Sequence, residues 1–254
     1  ISKLNAAGQL QWSTFYGGST RDRGYEVGID KATDNIYVVG TTWSANFPIG
    51  AQGGNVVQQP AKTGFEDGFI VKLDPAGTRI WSTFYGGTGG GAAHTRNSKC
   101  TGVTVDNNGN PYICGETIAS ASLGTPGTAH PGYMGTPGGW GDGFAAKFNA
   151  TGTRQWGTYL GGSGKDLAKS ISVDNAGNVF VCGETSSANL PTNAASHQQN
   201  GVVGPFADID DGFLYKLSPT GALTWCTYYG DAGQDDANAV RVDLNGDVYI
   251  GGSS

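Results

Sequence analysis

The side chains with the clearest capacity for chemistry are carboxylates that recur at fixed spacing. Asp22, Asp166 and Asp235 each stand eight residues ahead of another aspartate, Asp30, Asp174 and Asp243. Asp67, Asp142 and Asp211 each open a D-G-F string, and Glu116 and Glu184 sit in G-E-T strings. Oxygen ligands of this kind hold divalent cations or polar ligands. A pair at the right separation is also what glycoside cleavage requires. The competing role is local, with each Asp capping backbone N–H groups in its own turn. Recurrence in unit after unit favours capping, because a structural need repeats with the unit whereas a ligand site need occur only once. The strings D-N-N-G-N (106–110) and D-L-N-G-D (243–247) look like calcium loops but lack the distal Glu of a twelve-residue loop, so they read as hairpin turns.

Other chemistry is sparse. His94, His130 and His197 have no motif partner, and neither G-x-S-x-G nor H-E-x-x-H occurs. The string GGTGGG from Gly86 has no following Lys or helix to cradle a phosphate. No catalytic residue, metal or cofactor is therefore expected. Of the four Cys, Cys114 and Cys182 occupy the same position in successive units and Cys226 stands alone. Only Cys100 with Cys114, diagonal on adjacent strands, could come within disulfide reach. Fifteen Lys+Arg against 21 Asp+Glu provide no basic stripe, which argues against a nucleic-acid partner. No apolar run approaches the roughly 18 residues of a membrane helix, so no membrane insertion is expected.

The elements that position these residues follow from a repeat. Trp12, Trp81, Trp156 and Trp225 lie in the related strings WSTFYGG, WSTFYGG, WGTYLGG and WCTYYGD, 69 residues apart from 12 to 81, 75 from 81 to 156 and 69 from 156 to 225. A D-G-F-x-x-K string precedes three of them, and the first copy retains only ISKLNAAG. VTVDNNGNPYICGET, ISVDNAGNVFVCGET and VRVDLNGDVYIGGSS supply a third string, with VGIDKATDNIYVVGTT as a looser match. With 44 Gly and 10 Pro, long helices are excluded. Period-two patterning between Gly-marked turns gives four short strands, a to d, in each unit of about 69 residues. Strand d is apolar on both faces, so each sheet lies between two others. The reading is all-β, a β-propeller of four-stranded antiparallel blades, with strand a innermost and four repeat units in the chain.

The runs GGSGKD, VDNAGNVFVCGETSSANLPT and DGFLYKL, followed by a W-x-T-Y strand, resemble the SBBP repeat, named for the seven-bladed β-propellers of secreted bacterial proteins. The resemblance covers essentially the whole chain. It implies the propeller fold and an extracellular or cell-surface location, and brings no catalytic residue set. The chain opens on strands c and d (1–18), holds blades over 23–87, 98–162 and 166–230, and ends on strands a and b (238–254). Two outcomes follow: the half-blades pair into a closed four-bladed ring, or the chain is an arc of a larger propeller. The start inside a D-G-F-I-x-K-L-like string suggests part of a longer polypeptide.

The a-b and c-d turns are short, while the b-c links (41–66, 117–141 and 185–210) are long, and long loops on a rigid scaffold are where binding concentrates. They carry Trp43, Tyr133 and Trp140, and the carboxylates Asp22, Asp166, Asp235, Glu116 and Glu184 belong to the same face. These eight are the candidate ligand-binding residues. The expected function is a noncatalytic secreted or cell-surface propeller that binds protein or glycan, or acts structurally, through this face. The alternative is a carbohydrate-active enzyme, a polysaccharide hydrolase or lyase, using its carboxylates.

Overall fold

The structure is a computed structural model, and it describes residues 1–51, 58–89, 98–135, 141–201, 210–231 and 233–254. Among the described residues there is no helix. The hairpin β1 (Ser2–Leu4) and β2 (Leu10–Ser13) opens the chain. The first full blade contains β3 (Asp22–Ile29), β4 (Ile36–Thr42), β6 (Asp67–Leu73) and β7 (Arg79–Tyr85), and β5 (Gly50–Ala51) adds a fifth, outermost strand against β7. The second blade is β8 (Ser98–Val105), β9 (Pro111–Thr117), β10 (Asp142–Phe148) and β11 (Arg154–Leu160). The third is β12 (Asp166–Val173), β13 (Val179–Thr185), β14 (Asp211–Leu217) and β15 (Leu223–Tyr229), and β16 (Asp236–Val242) with β17 (Val248–Ser253) forms a final hairpin. Every pairing within a blade is antiparallel; the a-b and c-d pairs are hairpins with short turns, and the b-c pairs are joined by the long links.

Turn chemistry sets these hairpins. Asp106 Oδ1 accepts the N–H groups of Asn108 and Asn110, Asp174 does the same for Ala176 and Asn178, and Asp243 for Asn245 and Asp247. Gly109, Gly177 and Gly246 supply the left-handed residue (φ 75°, 84° and 89°), and Asp34 takes that conformation at φ 58° in the first blade.

Four apolar layers form, each between neighbouring blades. One joins Ile70, Trp81 and Tyr85 of the first blade to Ile113, Phe144 and Tyr159 of the second. The next joins Tyr112 and Trp156 to Val181, Phe213 and Tyr215 of the third. A blade therefore has no solvent face, which explains the aromatic content of both sides of strand d. A repeated contact locks three of these layers. The indole N–H of Trp12 donates to Pro75 O, Trp81 to Ala150 O and Trp156 to Pro219 O, each at 3.0 Å. These carbonyls belong to the c-d turn of the next blade, whose glycine lies flat on the indole.

The innermost strands β3, β8, β12 and β16 surround one cavity of about 580 Å³, lined by Glu26, Val103, Ile171 and Arg241 among others. Each carries a register shift at the same place, between Gly24 and Glu26, Cys100 and Gly102, Ala168 and Ser170, and Ala237 and Ala239. These are bulges, which bend and twist a strand, and the sequence pattern did not announce them. The terminal hairpins β1-β2 and β16-β17 remain separate two-stranded sheets, so the ring is open. All four cysteines are free and buried. The Cys100–Cys114 pairing is excluded by orientation: Cys100 packs toward the first blade and Cys114 toward the third, because the bulge after Cys100 sets it opposite Gly115.

Candidate functional site

On the long-loop face the recurrent carboxylates are occupied by their own links. Asp22 accepts hydrogen bonds from Gly18 N at 2.7 Å, Ser44 Oγ at 3.1 Å and the Thr42 hydroxyl. Asp166 is fully buried and accepts from Gly162 N at 2.9 Å, Ser187 Oγ at 2.8 Å and the Thr185 hydroxyl. Asp235 accepts from Asp231 N at 2.9 Å, and where the second blade has Ser98 a hydroxyl pair with Thr117 replaces the carboxylate. Burial raises the Asp166 carboxyl, against the hydrogen bonds that favour its charge.

The two glutamates are ion-paired. Glu116 contacts Lys99, and Glu184 holds Lys165 at 2.6 Å and Lys169 at 2.5 Å. Lys165 also reaches Asp210 at 3.1 Å and Lys169 reaches Asp236 at 3.2 Å, so the network ties the third blade to the final hairpin. Burial pushes the Glu184 carboxyl upward, but hydrogen bonds from both lysines outweigh it and hold it well below the usual range. Among the described residues no three His, Cys, Asp or Glu gather as a metal site. The structure thus distributes Asp22, Asp166, Asp235, Glu116 and Glu184 over separate links and ion pairs.

The aromatic candidates fare differently. Trp140 lies outside the described residues. Tyr133 is half-buried, edge-on to Tyr159 at 5.7 Å, and its buried hydroxyl has no hydrogen-bond partner among the described residues. Asp142 lies alongside, since a Cβ on Gly135 would meet both the Tyr133 hydroxyl and Asp142 Oδ1 within 2.8 Å. Asp142 Oδ2 accepts from Met134 N at 2.7 Å and Gly135 N at 3.2 Å, and burial, with the Asp166 charge adding to it, raises its carboxyl to about 7.

Trp43 anchors the other arrangement. The Arg21 guanidinium stacks 5.1 Å from its ring centre, and Trp43 N donates to Arg21 O at 2.9 Å. Lys62 Nζ donates to Trp43 O and to Phe65 O, both at 2.6 Å, and lies 5.8 Å from the ring of Phe65, which is 60% exposed. Two aromatic rings and two cations thus form one surface unit on the first blade. Burial lowers the Lys62 ammonium, against the nearby Asp67, Asp22 and Glu66. The unit does not recur: Ile118 and Ser186 stand at the position of Trp43, and Lys165 and Gln234 at that of Arg21. Sequence reasoning missed Arg21, Lys62 and Phe65. A signal for Phe65 was available, since it precedes D-G-F by the same two residues as Trp140.

Repeated four-stranded blades around one axis, joined by a recurrent indole-to-turn bond, make this a β-propeller module. The profile of the SBBP beta-propeller repeat matches residues 11–48 and again 155–191. Two stretches of the chain therefore match that repeat. It is also similar to an uncharacterized WD repeat-containing protein, L264, of Acanthamoeba polyphaga mimivirus, at 28% identity over 114 residues. The match spans 43% of this chain and 8% of the viral protein.

Proposed function

We propose that this propeller is a noncatalytic interaction module, secreted or displayed at a cell surface, that engages a protein or glycan through its long-loop face. The observation that carries this reading is the Arg21–Trp43–Lys62–Phe65 unit. It is the aromatic, partly exposed feature of that face that the repeat does not require, and unrepeated features on a repeat scaffold are where selection for a ligand leaves its mark. Exposed aromatic rings with stacked cations suit both a sugar face and a peptide side chain. The secreted setting rests on the likeness to SBBP repeat proteins. The test compares binding of wild type and a W43A/F65A variant on glycan and protein arrays, with N107A/N175A on the short-turn face as the control. Loss confined to the first variant is the expected result, and equal loss from the control contradicts the assignment.

One observation favours the enzymatic alternative. Asp142, its carboxyl raised to about 7 by burial beside a tyrosine hydroxyl that has no partner among the described residues, has the character of a general acid. Asp166, whose charge adds to the shift of Asp142, is itself occupied by the Gly162, Thr185 and Ser187 donors, so it does not serve as a free second carboxylate. Polysaccharide cleavage abolished by D142N with the fold intact would replace the binding reading.

A further inference from the structure

The inner edges of the four axial strands follow one rule, and the rule is broken in two places. A side-chain oxygen just after the bulge of one strand accepts an edge N–H of the next: Glu26 Oε2 takes Val103 N at 2.8 Å, and Ser170 Oγ takes Val240 N at 3.3 Å. The matching residues are Gly102 in β8 and Ala239 in β16, and neither carries a side-chain oxygen. The N–H groups of Ile171 and Val27, which stand where those of Val103 and Val240 stand, therefore receive no side-chain oxygen of this kind among the described residues. Ile171 and Val27 both line the axial cavity of about 580 Å³. A backbone amide at such a place calls for an acceptor from outside the chain.

Two charged side chains at the axis are likewise outside the repeat. Gly102, Ser170 and Ala239 stand in the place of Glu26, and Gly28, Thr104 and Ser172 in the place of Arg241. Arg241 Nη2 lies 3.8 Å from Glu26 Oε1, too far for a hydrogen bond, and these two atoms make no other among the described residues. Arg241 Nη1 donates to Ser170 Oγ at 3.3 Å and to Val240 O at 2.7 Å. The guanidinium thus stands beside Ser170, the residue before the open amide of Ile171. Around the pair the cavity wall is apolar, with Val27, Ile29, Val105 and Val173. Towards the short turns Asp30, Asp106, Asp174 and Asp243 join the lining, so that acids outnumber bases there.

We infer that the axial cavity binds a small zwitterion of the amino-acid type, an ammonium and a carboxylate on one short aliphatic skeleton. Its carboxylate answers Arg241 Nη2 and the N–H of Ile171, its ammonium answers Glu26 Oε1, and its aliphatic part lies against the valines of the wall. A simple anion is opposed by the excess of acids, and a simple cation leaves the guanidinium and the amide unanswered. A charge taken into such a cavity needs its own partner, and a zwitterion finds one for each of its two. The cavity falls in the range of about 300–1,000 Å³ usual for small-ligand sites. The site lies on the axis, apart from the Arg21–Trp43–Lys62–Phe65 unit, and stands or falls independently of it.

The test titrates the chain with L-leucine, N-acetyl-L-leucine, which lacks the ammonium, and L-leucinamide, which lacks the carboxylate, and reads the heat of binding. L-Leucine is expected to bind saturably, with each analogue about tenfold weaker for the loss of one charge-assisted contact. E26Q, in which an oxygen remains for Val103 N, should abolish the preference for L-leucine over N-acetyl-L-leucine alone. R241Q should abolish the preference over L-leucinamide alone. Absence of saturable L-leucine binding to wild type overturns the inference, as do preferences that both variants retain. Methyl NMR of wild type supplies a check that needs no variant: L-leucine should shift the Val27, Val105 and Ile171 methyl signals. Shifts confined to other residues overturn the assignment to the axis.

Discussion

At the scale of single residues, buried carboxylates hold the links of the long-loop face, and their value follows from what they accept. Asp166→Ala would leave Gly162 N and two hydroxyls without an acceptor in a buried site. Each orphaned group costs about 1–3 kcal/mol, so a loss of about 3 kcal/mol in urea unfolding is expected. Asp235→Ala, which removes the bond from Asp231 N, should cost about 1 kcal/mol. Asp142 gives a pH signature. Its folded carboxyl is raised to about 7 by burial, while the unfolded chain releases that proton near pH 4. Between those values the folded state binds more protons than the unfolded state, so stability falls as pH rises from about 4 to about 7 and levels off above. Thermal midpoints measured across this window should decline for wild type, and D142N should flatten the decline.

At the scale of elements, the unit that recurs is the d-strand tryptophan with the next blade's c-d turn. Gly152 has φ 92°, and a Cβ there would lie 3.0 Å from the Trp81 ring. Gly152→Ala therefore combines backbone strain with a clash and should cost about 2 kcal/mol. Gly8→Ala, at φ 77° with nothing within 4 Å, should cost about 1 kcal/mol through the backbone alone. Chemical denaturation of the two variants separates clash from strain. Trp81→Phe retains a ring in the layer but removes the bond to Ala150 O, and the loss of the donor should cost about 1 kcal/mol beyond the smaller packing area. The four bulges at matching positions of β3, β8, β12 and β16 show that the innermost strands share one bend, as a common axis demands.

At the scale of the whole molecule, the two faces differ in the freedom left to their residues. The short-turn face is formed by Asp-capped hairpins whose polar atoms are satisfied locally. The long-loop face carries the Arg21–Trp43–Lys62–Phe65 unit. W43A/F65A should therefore remove ligand binding while leaving the melting temperature within a few degrees of wild type, because Phe65 is exposed and Trp43 only half-buried. A large fall in melting temperature would show instead that the unit is part of the core. Circular dichroism of wild type should show strand with only a minor helical component.

The fold was legible in the amino-acid order because its determinants are local and repeated. The W-x-T-Y, D-G-F and D-x-x-G-N strings specify strand periodicity and turns within a few residues, and both-faced apolar strands imply stacked blades. The capping role of the recurrent aspartates was legible for the same reason, since Asp106, Asp174 and Asp243 satisfy amides two and four residues away. What lay beyond reach depends on side chains distant in sequence. Lys62 reaches back 19 residues to Trp43 while also holding Phe65, Glu184 gathers Lys165 and Lys169 into an ion-pair network with Asp210 and Asp236, and Cys100 and Cys114 face opposite layers. Pairing rules along a strand do not encode which link folds over which. That choice is made when the layers pack, because burial and charge pairing depend on distance in space and not on separation along the chain.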